Sequence, residues 1–241
     1  MRDNWSVLYE DNHLLAVDKP SGLLTQGDIS GESSLLDQLK EYLKERYDKP
    51  GNVFLGLVHR LDRPVSGVLV FARTSRAAAR LFRQFQERSV IKLYLAVVSG
   101  RTGELSPPGE GWTRLTQGTR REKDITVITP EGTGQAASLE YRSLFEDNGR
   151  ALLLIRLLTG RKHQIRAQLA SLSLPIIGDG KYGSSKPCAP GAIGLHAAYL
   201  RFRHPTRDDD VELSAAPPAH FIDLLPPGWP LPDMASLVPS P

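Results

Sequence analysis

The segment that most constrains the fold lies in the first third of the chain, where two β-prone runs enclose a polar turn. Residues 53–58 and 68–72 are apolar, and Asp62 lies between them beside Arg60 and Arg63. Such runs predict strands, and the proline and glycine of the turn predict a loop between them. A lone carboxylate at a strand end, next to two guanidinium groups, is consistent with a reactive carboxylate held in a fixed position. It is equally consistent with an ordinary surface ion pair.

Length and composition narrow the class of protein. The chain has 241 residues, of which 40% are hydrophobic and 24% charged, which is typical of a soluble globular protein with one large domain or two small ones. A net charge of +3 allows a polyanionic partner without requiring one. The single cysteine, Cys188, excludes an intrachain disulfide. Because the first residues lack a signal pattern and no apolar run of about 18 residues occurs, we expect a cytoplasmic protein outside the membrane.

Periodicity predicts a mixture of strands and helices. An acidic turn between residues 6–9 and 13–18 predicts a β-hairpin, and an Asp-Asn-Gly turn predicts another between residues 136–145 and 151–158. Further strands are predicted at residues 90–98, 195–202 and 211–213, and helices at residues 33–47 and 74–88.

Two regions are expected to lack regular structure. Residues 100–135 are rich in glycine and proline and contain a basic cluster, which predicts a functional flap or a mobile segment. The cluster comprises Arg114, Arg120, Arg121 and Lys123. Prolines are concentrated near the end of the chain, so we expect a folded body over residues 1–225 and an extended or disordered tail over residues 226–241.

The predicted helix over residues 74–88 has an apolar and a basic face. Its apolar stripe comprises Ala78, Leu81, Phe82 and Phe85. Its basic face comprises Arg76, Arg80, Arg83 and Arg88. A row of arginines on one helix is usually a solvated surface, and the alternative is contact with a phosphate backbone.

Other familiar catalytic signatures are missing. The six histidines show no metal-ligand spacing, and the Gly-x-Ser-x-Gly elbow of serine hydrolases is absent. A two-carboxylate glycosidase needs a second acid, and no other Asp or Glu lies in a comparably constrained setting. Cys188 has no histidine close in sequence, which argues against a thiol nucleophile. The Asp62 turn, together with a basic junction about 100 residues later, is the remaining candidate.

Several motifs, in order, resemble one enzyme family. The run His59-Arg60-Leu61-Asp62, followed by Ser66-Gly67, is similar to the signature of the RluA-type RNA pseudouridine synthases. Further matches are found at residues 16–22 (AVDKPSG), 92–100 (KLYLAVVSG), 159–166 (TGRKHQIR), 175–183 and 195–205. The resemblance covers residues 7–221. It departs from the family pattern at Val65, where threonine is usual.

The resemblance implies an α/β fold of the α+β type. The expected architecture is a pseudouridine synthase fold, with one mixed, largely antiparallel sheet, flanking helices and a central cleft. It implies a catalytic domain over residues 1–225. Because the resemblance begins at residue 7, we expect no separate S4-type RNA-binding domain of the kind that some members have.

The resemblance also implies roles for individual residues. Asp62 would be the catalytic carboxylate in the conversion of a uridine in RNA to its C-glycoside isomer, as nucleophile or as general base. Arg166 would be its charge partner, and Tyr94 would pack on the target base, a contact of roughly 1–3 kcal/mol. Arg60 would fill the space left by the flipped base. Phosphate contacts are expected from Lys19, Lys92, Arg161, Lys162 and His163, with Gly160 allowing close backbone approach.

No cofactor or metal is implied, because the isomerisation involves no net redox change. The expected partner is ribosomal or transfer RNA, and we expect a monomer without an obligatory protein partner. Two other classes stay open, namely a catalytically silent RNA-binding protein on the same fold and a carboxylate glycosidase acting on a nucleoside or sugar. The intact set of Asp62, Tyr94 and Arg166 argues against the first, and the missing second acid argues against the second.

Overall fold

Strands dominate the chain. The computed structural model describes residues 4–100, 102, 105, 108, 111–229 and 231. The strands are β1 (Ser6–Glu10), β2 (Leu14–Lys19), β3 (Gly56–Leu57), β4 (Ser66–Ala72), β5 (Ile91–Ser99), β6 (Thr113–Glu122), β7 (Ile125–Thr129), β8 (Gln135–Asp147), β9 (Arg150–Leu157), β10 (Leu195–Arg203) and β11 (Asp210–Ser214). The helices are α1 (Leu35–Arg46), α2 (Ser75–Glu87), α3 (Gln164–Ser171) and α4 (Ala219–Ile222), and a short 3-10 turn spans Gly180–Tyr182.

These strands form one mixed sheet. Its order is β1-β2-β4-β10-β5-β9-β8-β6-β7, with β3 paired to β4 and β11 paired to β10. Within the described strands, β4 and β10 are the one parallel pair, and the other pairs are antiparallel. The predicted mixed, largely antiparallel sheet with flanking helices is confirmed. Both predicted hairpins, β1–β2 and β8–β9, are present.

The parallel pair forms a tight seam inside the sheet. Its register aligns Ser66 with His196 and Gly67 with Ala197. Gly67 has φ +116°, and a Cβ at this position would lie 2.2 Å from the carbonyl oxygen of Ala197. Only glycine therefore allows the two backbones to approach so closely. The loop that contains Asp62 runs directly into β4, so this seam fixes where the loop ends.

Helices pack on both faces of the sheet. The first face is covered by α1 and α3 through Leu35, Leu39, Leu43, Ile165 and Leu169. The second face is covered by α2 through Ala77 and Leu81, and by α4 through Phe221. Serine and threonine begin the two long helices, because the Ser34 and Thr74 hydroxyls accept the backbone N–H groups of Asp37 and Ala77. No helix among the described residues is long and apolar enough to cross a membrane.

The region over residues 100–135 is more regular than predicted. Strands β6 and β7 form an antiparallel hairpin, with Lys123 in its turn at φ +50°. The expectation that this part lacks regular structure is wrong, because the β-branched run 125–129 pairs with β6 and β6 pairs in turn with β8. Residues 101, 103–104, 106–107 and 109–110 lie outside the described residues.

Three further features differ from the sequence prediction. Phe82, assigned to the apolar stripe of α2, is 51% exposed, because the helix packs on the sheet mainly through Ala77 and Leu81. The strand predicted at residues 53–58 is only the two-residue β3. Trp229 packs against Phe145, with ring centroids 5.6 Å apart, so the packed body continues past residue 225. The rest of the predicted tail, apart from residue 231, lies outside the described residues.

Replacing Gly67 tests the seam. Gly67→Ala is expected to lower the free energy of unfolding by about 2–5 kcal/mol, since the new methyl group meets backbone and the positive φ is strained. Urea unfolding monitored by circular dichroism measures the loss. Gly111→Ala is the matched control, because a Cβ there meets nothing within 4 Å. Equal stability of the two variants would contradict a tight seam.

Candidate active site

The loop that contains Asp62 is held on both sides by the segment after β2. The Thr25 hydroxyl donates to the carbonyl of Leu61 at 2.8 Å. The Gly22 N–H donates to the carbonyl of Arg63, also at 2.8 Å. The Asp62 side chain between these anchors is 23% exposed. The loop therefore presents a fixed carboxylate that solvent can still reach.

Lys19 lies beneath this loop and has a different role from the one expected. Its side chain is fully buried, and its Nζ donates to the carbonyls of Pro20 and Leu23 at 2.8 Å and of Arg63 at 3.3 Å. Burial lowers the pKa of Lys19 to about 7, although the charge of Asp62 acts to raise it. The predicted phosphate contact is wrong, because this ammonium group ties two backbone segments together and is inaccessible to RNA.

Arg166 joins two carboxylates from distant parts of the chain. Its Nη1 donates to Asp62 Oδ2 at 3.1 Å. Its Nε and Nη2 bind both oxygens of Asp179, at 2.6 and 2.8 Å, and Asp179 is 2% exposed. Burial acts to lower the pKa of Arg166, but the two carboxylates outweigh it and raise that pKa above its usual value. The predicted contact between Asp62 and Arg166 is therefore present, and a third residue fixes its geometry.

The two arginines that flank Asp62 in sequence do not pair with it. Arg63 points away from the cavity, donates to the carbonyl of Gly22 and forms an ion pair with Glu32 at 2.6 Å. Arg60 is exposed and lines the cavity described below. The local sequence thus contains a surface ion pair, but one made by Arg63 rather than by Asp62.

His163 approaches Asp62 from the start of α3. Its Nε2 lies 3.8 Å from Asp62 Oδ2, and its Nδ1 is hydrogen-bonded to Tyr182 Oη at 2.9 Å. That hydroxyl accepts the Thr126 N–H at 2.8 Å, and the Thr126 hydroxyl donates to the carbonyl of Lys162 at 2.6 Å. Burial lowers the pKa of His163 to about 4 despite the opposing charge of Asp62, so the imidazole is neutral at pH 7. The contact between His163 and Asp62 is thus not an ion pair at neutral pH.

These side chains border a cavity of about 670 Å³, a volume within the usual range of ligand sites. It is lined by eight of the nine side chains predicted from the sequence, and Lys19 is the exception. The eight are Arg60, Asp62, Lys92, Tyr94, Arg161, Lys162, His163 and Arg166. Tyr94 is 8% exposed, and burial, followed by the charge of Asp62, raises the pKa of its hydroxyl. No group of three or more His, Cys, Asp or Glu side chains that could hold a metal occurs among the described residues.

The cavity combines one carboxylate with many cations. Asp62 is the only acidic side chain among its described lining residues. The basic lining residues are Arg60, Arg88, Lys92, Arg161, Lys162 and Arg166. Burial, with the nearby charge of Arg88, lowers the pKa of Lys92 to about 8, and no described side chain pairs with it. Arg161 Nε donates to the carbonyl of Ala136 at 3.1 Å. This charge distribution suits a phosphate-bearing ligand.

Sequence reasoning missed three residues of this site. Asp179 and Tyr182 lie within the matched motif at residues 175–183, which assigned them no role. Thr126 lies in the region predicted to be irregular, although its run of β-branched residues, Ile-Thr-Val-Ile-Thr, is a signal for a strand. The burial of Lys19 had no comparable signal in the sequence.

Comparison with known proteins decides the family. Residues 13–171 match the model of the RNA pseudouridylate synthase family. The chain belongs to this family. It is 31% identical over 222 residues to ribosomal large subunit pseudouridine synthase D of Zymomonas mobilis, a match that covers 88% of this chain and 69% of that protein. The protein of the same name from Yersinia pestis is 31% identical over 240 residues, covering 91% and 69%.

Solved structures of pseudouridylate synthase domains have the same fold as this chain. Human RNA pseudouridylate synthase domain containing 1 matches with a TM-score of 0.70 and 26% identity, over 97% of this chain and 93% of that chain. Human RNA pseudouridylate synthase domain containing 4 matches with a TM-score of 0.71 and 24% identity, over 91% of each chain. The family, the fold class and the prediction of an isomerase that acts as an RNA pseudouridine synthase are confirmed. The roles of individual residues stay predictions.

Arg166→Ala tests the buried pair in this pseudouridine synthase. We expect the free energy of unfolding to fall by about 3–5 kcal/mol, because Asp179 would be left as a buried charge without its partner. Thermal or urea unfolding measures the loss. Arg201→Ala is the control, since its ion pair with Asp210 is largely at the surface and should contribute less than about 1 kcal/mol.

A second variant separates lost charge pairing from lost packing. The double variant Arg166→Ala Asp179→Ala removes both charges and should recover part of the stability that Arg166→Ala loses. If the double variant is no more stable than Arg166→Ala, the buried charge of Asp179 is not the cause.

Proposed function

We propose that this RNA pseudouridine synthase uses Asp62 as its catalytic carboxylate and acts on large-subunit ribosomal RNA. One observation supports the role of Asp62 above all. It is the only acid among the described residues that line a strongly basic cavity. A two-carboxylate glycosidase would need a second acid in the same cavity. This observation favours Asp62 over the other acidic side chains as the catalytic carboxylate.

The two oxygens of Asp62 are in different environments. Oδ2 accepts the Arg166 hydrogen bond and is the oxygen nearer to His163. No described group is hydrogen-bonded to Oδ1, and we assign the reaction to this oxygen. The reaction breaks the N1–C1′ bond, turns the base, forms a C5–C1′ bond, and exchanges the C5 proton for one on N1. Oδ1 can act as a nucleophile at C1′ or as a general base at the sugar.

The cavity walls suggest how the target nucleotide is held. A uridine must leave its stack to expose C1′, and we assign the extruded base to the Tyr94 wall. Arg60, exposed at the cavity, is assigned to the space that the base vacates in the RNA. Lys92 and Arg161 are assigned to phosphates. His163 fits better as a residue that positions Asp62 than as a phosphate ligand, because both of its ring nitrogens face protein groups.

The relatives suggest the class of RNA. Those from Zymomonas mobilis and Yersinia pestis are named as ribosomal large subunit enzymes. We therefore propose a uridine of large-subunit ribosomal RNA as the target. Transfer RNA, the other substrate expected from the sequence, has no such support. Because all the residues assigned here come from one chain, the proposal requires neither a partner subunit nor a cofactor. It also retains the expectation of a cytoplasmic monomer.

Replacing the carboxylate tests the assignment of Asp62. Asp62→Asn keeps the size of the side chain but removes its charge, and we expect pseudouridine formation to become undetectable while RNA affinity persists. Tritium release from RNA labelled at uridine C5 measures turnover, and filter binding measures affinity. Asp208→Asn is the matched control, because Asp208 is 99% exposed and does not line the cavity. Turnover of Asp62→Asn near that of the unmodified enzyme would refute the role.

The substrate itself can be identified in cells. Pseudouridine mapping of total RNA from cells with and without the gene should show the loss of one or a few sites in large-subunit ribosomal RNA. Complementation with the Asp62→Asn variant should not restore them. Loss of sites in transfer RNA alone would contradict the proposed substrate.

Lys92 should make RNA binding dependent on pH. Its pKa of about 8 means that the ammonium is charged at pH 7 and neutral at pH 9. We expect RNA affinity to fall across this interval, and the slope of log Kd against log salt concentration to decrease by about 0.7–0.9 as one phosphate contact is lost. Lys92→Arg is the control, because guanidinium stays charged. The same pH dependence in Lys92→Arg would contradict the assignment.

A further inference from the structure

Two large aromatic side chains are exposed near the active-site cavity. Phe82 on α2 is 51% exposed, and Phe54, in the loop before β3, is 52% exposed. Phenylalanine buries most of its surface in a typical soluble domain, so two half-exposed rings in one region need an explanation. Neither ring belongs to a hydrophobic cluster of the core, in which α2 takes part mainly through Ala77 and Leu81.

Both rings are connected through α2 to the lining of the cavity. Phe82, Phe85 and Gln86 share a face of α2, at helical spacings of three and four residues, and the latter two line the cavity. Ala78, one turn before Phe82, lies on the same face. The Phe54 ring packs against Gly56 beside this alanine, because a Cβ on Gly56 would lie 3.3 Å from the ring and 2.9 Å from the alanine methyl group. An aromatic surface therefore continues outward from the cavity mouth.

The charges around this surface favour an anionic ligand. Arg76, Arg83 and Arg88 are exposed and form no ion pair with a described carboxylate, and Arg88 also lines the cavity. Glu87 is the only acid on the helix. A second copy of the same surface would be repelled by these guanidinium groups. A single-stranded nucleic acid combines phosphates for the arginines with bases that have flat apolar faces for the rings.

We propose that Phe82 and Phe54 form a stacking surface for an unpaired base that neighbours the target uridine, and that Arg83 binds the adjacent phosphate. This inference rests on the proposed function, because the cavity next to this surface is where the target base would enter. The surface would hold the strand on one side of the flipped nucleotide. It would thereby contribute to the choice of uridines that lie in single-stranded segments.

Kinetics on a large-subunit ribosomal RNA transcript test the proposal. Phe82→Ala and Phe54→Ala should each raise KM by about fivefold to 150-fold, the range expected for a lost base stack, and leave kcat at saturating RNA unchanged. Phe82→Tyr should retain the KM of the unmodified enzyme. Phe82→Leu should behave like Phe82→Ala, because leucine is apolar but has no flat ring. Ile222→Ala is the control for loss of an exposed apolar side chain on another helix.

Fluorescence can detect the stack directly. A single-stranded RNA of about 12 nucleotides, within the usual site size, would contain 2-aminopurine next to a uridine. Binding to the unmodified enzyme should quench the 2-aminopurine, and Phe82→Ala should abolish the quenching. The aromatic variants should leave the salt dependence of binding unchanged, whereas Arg83→Gln should lower its slope.

The possible outcomes are distinct. If Phe82→Ala and Phe54→Ala both bind RNA like the unmodified enzyme, the stacking surface is refuted. If instead Phe82→Ala dissociates an oligomer in sedimentation experiments, the surface is a subunit interface and the proposal is also refuted. An unmodified enzyme that forms no pseudouridine in any RNA, or an Asp62→Asn variant that remains active, would overturn the proposed function instead.

Discussion

The buried guanidinium of Arg166 is the interaction on which the site depends. A buried cation is stable only with well-placed partners, and Asp179 supplies a bidentate one at 2.6 and 2.8 Å. This pairing uses Nε and Nη2 and leaves Nη1 directed at Asp62. Asp179 thus determines where the arginine points, and the arginine determines which oxygen of Asp62 is engaged. Without the bidentate pair, the contact with Asp62 would have no fixed direction.

Backbone interactions give the carboxylate a fixed support. The loop containing Asp62 leads into the β4–β10 seam, where Gly67 allows the two backbones to touch. Below the loop, the buried ammonium of Lys19 binds carbonyls from both the loop and the segment after β2. Two basic side chains therefore flank the same loop and have different roles. Lys19 fixes the backbone, and Arg166 fixes the side chain.

Sequence reasoning reached the elements of the fold and the residues of the cavity by different routes. Turn chemistry predicted the β8–β9 hairpin, because Asn148 and Gly149 adopt the positive φ angles that such turns require. No periodic pattern in the sequence predicts a contact between Asp62 and Arg166, which are 104 residues apart. Only the family resemblance predicted this contact. The predicted phosphate contact of Lys19 was wrong, because the sequence does not show whether a lysine side chain is buried or exposed. How much of α2 is buried depends on the sheet against which it packs. The helical spacing of Phe82 therefore could not show whether its ring is buried or exposed.

The β6–β7 hairpin, which the sequence analysis did not predict, also determines which atoms of Tyr182 and His163 carry protons. Thr126 on β7 donates its N–H to Tyr182 Oη, which favours donation of the phenolic proton to His163 Nδ1. A neutral imidazole that accepts at Nδ1 has its proton on Nε2, the nitrogen that faces Asp62 Oδ2. The register of an edge strand thereby selects a tautomer whose N–H points at the same oxygen as Arg166. Among the described residues, Oδ1 is left without a donor, which fits its proposed role as nucleophile or base.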